Sequence, residues 1–287
     1  MIGTNTLLYG EVGSGKTSAL PTFIKAGLEN NLDPHLAVVI TDPGGDESLI
    51  DGMKIHARKG ETSLPLDRLH YKYFPPAATD WSAIIEMAKN VNNMGYSNLA
   101  ELKQGLAKAK HRQLLDVLSC LANFEDQNGD TFGPVDHLDS NWMLAVDGLS
   151  GINEKCRQLH VGLKPSLHQG EWGVIMETEL AIVRQLVSST KCFTCLVAHA
   201  DKTMDEVIGK PQFMPGFLGN KLAPKVPRIF SDCILAKRED DKFFWSTTER
   251  NYSSLKARNL RLADKLQPDF SQIIKSWLAR QKMVDGE

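Results

Sequence analysis

One stretch limits this chain more than any other: Thr6-Leu-Leu-Tyr-Gly-Glu-Val-Gly-Ser-Gly-Lys-Thr-Ser-Ala-Leu20. Within it Gly10, Gly15, Lys16 and Thr17 stand at the spacing G-x-x-x-x-G-K-[ST]. Leu7, Leu8 and Tyr9 before the loop form a short apolar run suited to a buried strand. Ala19, Leu20, Phe23 and Ile24 after it recur at helical spacing. A chain of phosphates must lie close to backbone, and glycines at 10, 13 and 15 remove the side chains that would prevent it. Successive N–H groups then form an anion nest, and a helix starting near Lys16 turns its positive end toward it. Lys16 can reach the β- and γ-phosphates and the Thr17 hydroxyl can ligate Mg²⁺. Gly10, Glu11, Val12, Gly13, Ser14, Gly15, Lys16, Thr17 and Ser18 are therefore the expected cradle for ATP with Mg²⁺.

Size and charge narrow the remainder. A chain of 287 residues can be one large α/β domain or two small ones. Lys and Arg number 33 against 35 Asp and Glu, a formal charge of -2, which excludes a protein that coats nucleic acid over its whole surface but allows a local basic groove. No apolar run approaches the roughly 20 residues of a membrane span. The polar residues ahead of the glycine loop do not read as a secretory signal. No membrane partner and a cytoplasmic setting are expected. Cys192 and Cys195 form C-x-x-C inside the apolar run 192–198, so they read as buried small hydrophobes, not as a redox or metal pair.

Along the chain, strands are expected at about 5–9, 36–40, 69–74, 142–147 and 192–198. Helices are expected after the glycine loop to about Leu28, around 48–52, from Asp80 to about Val91, through much of 98–124, and over about 173–187. Residues 125–140, 151–172 and 200–228 read as polar or Gly/Pro-rich loops. Segments 229–237, 242–248 and 255–257 suggest a closing meander of strands, and 270–283 a C-terminal helix. Alternation of strand and helix implies an α/β fold with a mainly parallel sheet flanked by helices and a C-terminal antiparallel meander. With no repeat and no linker, residues 1–287 read as a single domain, its core at about 5–260.

Three strands end in polar residues. Met143-Leu-Ala-Val-Asp147 is an apolar strand closed by an acid, the arrangement that holds Mg²⁺ in P-loop enzymes. Val38-Val-Ile-Thr-Asp42 ends in a second acid, which suits either a carboxylate that orients water or the first residue of an Asp-Pro-Gly-Gly turn. Glu47 is the alternative acid. Leu196-Val-Ala-His-Ala-Asp201 carries His199, which would reach the γ-phosphate if its strand neighbours the one ending at Asp147.

Gly10–Thr17, Asp42, Asp147 and His199, in that order after successive strands, resemble the RecA-like P-loop ATPases. With Ile40-Thr-Asp-Pro-Gly44, Ala198-His-Ala200 and Phe217-Leu-Gly-Asn-Lys-Leu-Ala223, the likeness is to the short bacteriophage members, the Sak4-type annealing and recombination ATPases. The resemblance implies an ATP hydrolase acting on single-stranded DNA in phage recombination, in the cytoplasm of the bacterial host. It implies a homo-oligomeric ring or filament and phage recombination proteins as partners. It places Asp42 where RecA-like proteins carry the longer Glu, which implies slow turnover, or Glu47 acting in its place. It also puts two DNA loops after the strands ending at Asp147 and His199. The first would use Lys155, Arg157 and Lys164, and the second Lys202 and Lys210, for phosphate contacts, with Trp172, Phe213 or Phe217 stacking on bases. A neighbouring subunit would supply a cation, with Arg250, Arg228 and Lys221 as candidates. The rival readings are a DNA-packaging or helicase-loading motor, and an assembly protein that ATP stabilises with little turnover.

Overall fold

Strands buried on both faces read as unbroken apolar runs, and Leu36-Ala-Val-Val-Ile40 is the clearest case, with every residue fully buried. In the computed structural model of the chain, the described residues are 3–75, 81–82, 85, 88–89, 111–162, 167–204, 211–217, 222–249, 252 and 254–285. The helix expected from Asp80 and the first part of that expected over 98–124 fall largely or wholly outside them.

The main sheet contains β1 (Asn5–Gly10), β2 (His35–Ile40), β3 (Leu69–Tyr73), β6 (Trp142–Asp147), β7 (Phe193–Met204), β9 (Asp232–Glu239) and β10 (Lys242–Ser246), in the order β10-β9-β1-β7-β6-β2-β3. β8 (Pro211–Pro215) pairs with the far end of β7, and β4 (Phe124–Glu125) with β5 (Thr131–Gly133) forms a separate ribbon. Among the pairs of the main sheet only β9–β10 and β7–β8 are antiparallel. This is the α/β fold with a mainly parallel sheet flanked by helices that the sequence suggests. The expected antiparallel close is the β9–β10 pair, and β9 joins it to the core by lying parallel to β1. Of the segment 255–257, only an isolated bridge between Cys233 and Lys256 forms.

Period-two alternation divides the core into two layers. Leu7, Tyr9, Val39, Leu144, Val146 and Leu196 face α4 (Gln113–Ala122), α5 (Leu149–Val161) and α6 (Gln169–Ser188). Leu8, Val38, Ile40, Ala145, Cys195 and Val197 face α1 (Lys16–Ala19), α2 (Thr22–Glu29), α3 (Gly45–Ile55) and α7 (Ser271–Asp285). Each such Leu, Ile or Val side chain, fully removed from water, contributes about 1.5–3 kcal/mol. Helix α7 is bound into the second layer, where Trp277 meets Phe193 edge-on at 5.0 Å and Phe193 in turn meets Phe23 at 5.2 Å.

Three segments differ from the sequence expectation. The helix after the glycine loop is two pieces, because Pro21 cannot donate in its interior and the chain turns at Leu20–Pro21. Residues 149–161, expected as loop, are helix α5, and β7 continues past Ala198 into a hairpin with β8 where a long loop was expected.

At the amino end of β2, β3 and β6 lies a polar corner. Arg68 Nη1 donates to His35 Nε2 (2.8 Å), so the His35 proton must sit on Nδ1, which faces His70 Nε2 (3.1 Å). That leaves the His70 proton on Nδ1, donated to Asp126 Oδ2 (3.0 Å). Trp142 stacks on His35 at 4.6 Å. Burial pushes the Asp126 carboxyl up, but hydrogen bonds from His70 and from the Asn128 and Asp130 N–H groups outweigh it and hold the carboxyl below its ordinary value.

Candidate nucleotide-binding site

Register brings the strand-end residues together. Val197, Asp147 and Ile40 lie side by side across β7, β6 and β2. Asp42 and His199 each follow that row by two residues, on the strands flanking β6, so they meet across its end. His199 Nε2 and Asp42 Oδ2 are 3.0 Å apart. Gly148 makes the room: it has φ +104°, and a Cβ there would sit 2.4 Å from Asp42 Oδ1. The Thr41 hydroxyl, donating to the Gly148 carbonyl, and the Thr41 N–H, donating to the Asp147 carbonyl at 2.8 Å, fasten β2 to β6 at this point.

The glycine loop stands over the same strand ends, since Gly10 pairs with His199. Gly13 and Gly15 have positive φ, +72° and +78°, a conformation natural to glycine. The Phe243 ring covers Gly15, where a Cβ would come within 2.8 Å of it. Lys16 is folded back on its own loop, its Nζ donating to the carbonyls of Gly10 (3.0 Å) and Glu11 (2.7 Å) and to Ser14 Oγ (3.3 Å). Burial pushes the ammonium below its ordinary value, against the pull of Asp147, Asp42 and Glu11. A cleft of about 570 Å³ is lined by residues 12–18 and 42–45 together with Asp147, His199 and Phe243, a size that suits a nucleotide.

Asp147 carries its charge at a buried position. It is 2% exposed. Burial pushes its carboxyl up to about 6, with Asp42 adding to the rise while the Thr17 hydroxyl, Lys16 and His199 oppose it. Among the described residues its Oδ2 has no hydrogen-bond partner, and neither has the buried His199 Nδ1. A divalent cation fits this donor set. Thr17 and Asp147 offer hard oxygens side by side, and the orphaned Oδ2 is the atom such an ion would satisfy.

The structure thus brings together the glycine loop, Thr17, Asp147, Asp42 and His199. It does not bring in Glu47, which is exposed on α3 and lines a separate depression with Asp46, Asp51 and Tyr71. Lys155 and Arg157, expected on a loop, lie on α5. Lys155 is buried, and Arg157 lies near Glu154. Lys202 is exposed on the β7–β8 hairpin and Arg228 is exposed in a short 3-10 turn. Phe217 is buried, and Phe213 already stacks on Tyr252 at 4.8 Å. Lys164, Lys210, Lys221 and Arg250 lie outside the described residues. Phe243 is the site neighbour that motif reading missed: it lies in no motif, and only the strand order brings it here. All five cysteines are buried and free; burial pushes the Cys192 thiol up to about 11. No helix among the described residues is long and apolar enough to cross a membrane.

No family profile matches the sequence, and no curated protein matches it. Among solved structures, the chain is similar to a KaiC-like protein from the hyperthermophilic archaeon Pyrococcus horikoshii OT3, at 15% identity and a TM-score of 0.36, over 92% of this chain and 83% of that one. The reading of the fold rests on the strand order and the loop geometry above.

Proposed function

We propose that this chain is a Mg²⁺-dependent ATP hydrolase whose turnover responds to single-stranded DNA. The observation that carries the reading is the junction of Asp42 and His199 over the end of β6, next to the orphaned Asp147 oxygen and opposite the glycine loop. Thr17 and Asp147 would hold Mg²⁺, which when bound neutralises phosphate charge. Lys16, now satisfied by two loop carbonyls, exchanges them for β- and γ-phosphate oxygens. Asp42 orients the attacking water and accepts its proton. His199 holds Asp42 through Nε2, so a γ-phosphate that attracts the imidazole changes what Asp42 can do.

The link to DNA rests on β7. The strand runs from His199 into a hairpin that carries the exposed Lys202, so phosphate contact there and the nucleotide site share one continuous strand. The bacteriophage recombination role and assembly into a ring or filament follow from the resemblance of the motifs. A trans-acting cation at Arg228, Arg250 or Lys221 belongs to the same proposal. The test is steady-state ATP hydrolysis with and without single-stranded DNA at two salt concentrations. Stimulation that weakens with salt supports the reading. Turnover indifferent to DNA points to a motor acting on a protein or duplex, and bound nucleotide without turnover points to an assembly protein.

A further inference from the structure

Helix α1 is a single turn. It stops at Leu20–Pro21 because Pro21 has no N–H to continue it, and the Leu20 N–H falls back on the Thr17 carbonyl at 3.1 Å. The Ser18 carbonyl lies at this break, and its donor comes from another element. His56, at the closing end of α3, donates to it through Nε2 at 3.0 Å. A carbonyl oxygen only accepts, so the His56 proton sits on Nε2. One turn back on the same face of α3 stands Gly52. A Cβ there would come 2.7 Å from the Ser18 carbonyl oxygen and 3.1 Å from Ser18 Cα. Glycine lets the two backbones approach, and histidine fastens the approach with a hydrogen bond. Ser18 directly follows Thr17, so this pair grips the one turn that carries Lys16 and Thr17.

Another side of α3 faces the cleft. Gly44, Gly45, Ser48, Asp51 and Ile55 line it, a stripe at helical spacing. The helix opens at Gly45, shortly after Asp42, and a Cβ at Gly45 would sit 3.3 Å from Asp147 Oδ2. One helix therefore meets Asp147 at its opening end, walls the cleft along its length, and locks onto α1 at its closing end. We infer that His56 is a positioning residue for this site. Through Ser18 it fixes α3 against α1, and with it the separation between Asp42 and the Lys16–Thr17 turn. This rests on the reading of the cleft as an ATP site.

The experiment uses the full chain with three substitutions. His56→Phe keeps a ring but has no donor, His56→Gln keeps a donor at similar reach, and Gly52→Ala pushes α3 off the same carbonyl. Backbone hydrogen exchange of residues 16–22 and 45–57 is read without nucleotide. Calorimetry gives the dissociation constant for ADP with Mg²⁺, and steady-state assays give kcat and KM for ATP. H56F is expected to speed exchange in both segments together. It should lower kcat about tenfold or more, because reacting groups lose their alignment. The ADP dissociation constant should stay within about threefold, since the loop N–H groups still hold the phosphates. H56Q should restore most of the rate and of the protection. Added to G52A, H56F should cost less in kcat than it does alone, because both changes break one contact. H56L takes the place of H56F if the phenylalanine variant does not fold. Wild-type exchange in both segments of H56F would overturn the inference, as would an unchanged kcat or an H56Q protein as slow as H56F. Independent losses in the double variant would do the same. Absence of turnover in the wild type would sink the hydrolase reading alone, with exchange in H56F and its recovery in H56Q still deciding whether His56 ties α3 to α1.

Discussion

Replacing Asp147 by Asn should make the nucleotide-free, metal-free protein more stable while destroying its use of Mg²⁺. The carboxyl is 2% exposed with one oxygen unpartnered. Its value rises from 3.8 to about 6, chiefly through burial. A folded-state value above the unfolded one means the folded protein binds more protons between about pH 4 and 6. Stability is therefore lost as pH rises through that window and stays lost above it. A rise of about two pH units corresponds to about 3 kcal/mol at neutral pH. Asn removes the charge but places an amide with one unpaired group in the same pocket, which costs about 1–2 kcal/mol. The net expectation is a gain of about 1–2 kcal/mol, or about 2–6 °C in melting temperature for a chain of this size. Thermal unfolding with a chelator, from pH 5 to pH 8, reads it directly. The gap between D147N and wild type should open as pH rises toward 6 and be flat above 7. With Mg²⁺ and ATP present the order should reverse, because only the wild type gains from the ion. A D147N protein that melts below wild type at pH 8 without divalent ion would refute the argument that this carboxylate is held at a cost for the metal.

Other substitutions test separate parts of the site. K16A should lose the ATP-induced rise in melting temperature and all turnover while its nucleotide-free circular dichroism is unchanged. Retained turnover would remove the central claim. D42N should lower kcat by about 10² or more with the dissociation constant for a slowly hydrolysed ATP analogue nearly unchanged, as measured by calorimetry. G148A places a methyl 2.4 Å from Asp42 Oδ1 at φ +104°. It should cost about 1–3 kcal/mol in a denaturant melt and lower kcat by displacing Asp42, and wild-type stability in that variant would contradict the packing described.

What could be read from the sequence was local. The glycine loop specifies its own geometry within eight residues, and β1, β2 and β6 are apolar runs because both faces of the sheet are covered. Asp147 was legible as an acid closing such a run. The meeting of Asp42 and His199 was not, since the residues are 157 apart in sequence and meet only because β6 lies between β2 and β7. Helix α5 was hidden by its own composition. Asn153 and Lys155 are polar yet buried, so they break the apolar period that marks a helix, and Gly148 and Gly151 read as loop residues although close packing on Thr41 and Asp42 demands them. Lys155 was consequently expected on a loop that contacts DNA phosphate, not on a helix. The β7–β8 hairpin was masked by polar residues on one arm and prolines bounding the other, since Asp201, Lys202 and Thr203 lie beyond the part of β7 that pairs with β1 and β6.

The Arg68–His35–His70–Asp126 corner has a consequence for how the molecule meets acid. Every proton along it is already assigned, so a further one must set donor against donor, at His35 Nε2 facing Arg68 or at His70 Nε2 facing His35. Burial, and then Arg68, accordingly hold the His35 imidazole below its ordinary 6.5, against Asp33 and Asp67, with His70 acting in the same sense as Arg68. A lowered folded value means the unfolded chain binds the extra proton more readily, so this corner keeps its full contribution above about pH 6.5 and yields it as pH falls. Asp147, at the opposite end of the same strands, changes in the reverse direction. The sheet therefore has an acid-tolerant end at the glycine-loop cleft and an acid-labile end at the histidines, and mild acidification would loosen the molecule from the histidine corner first.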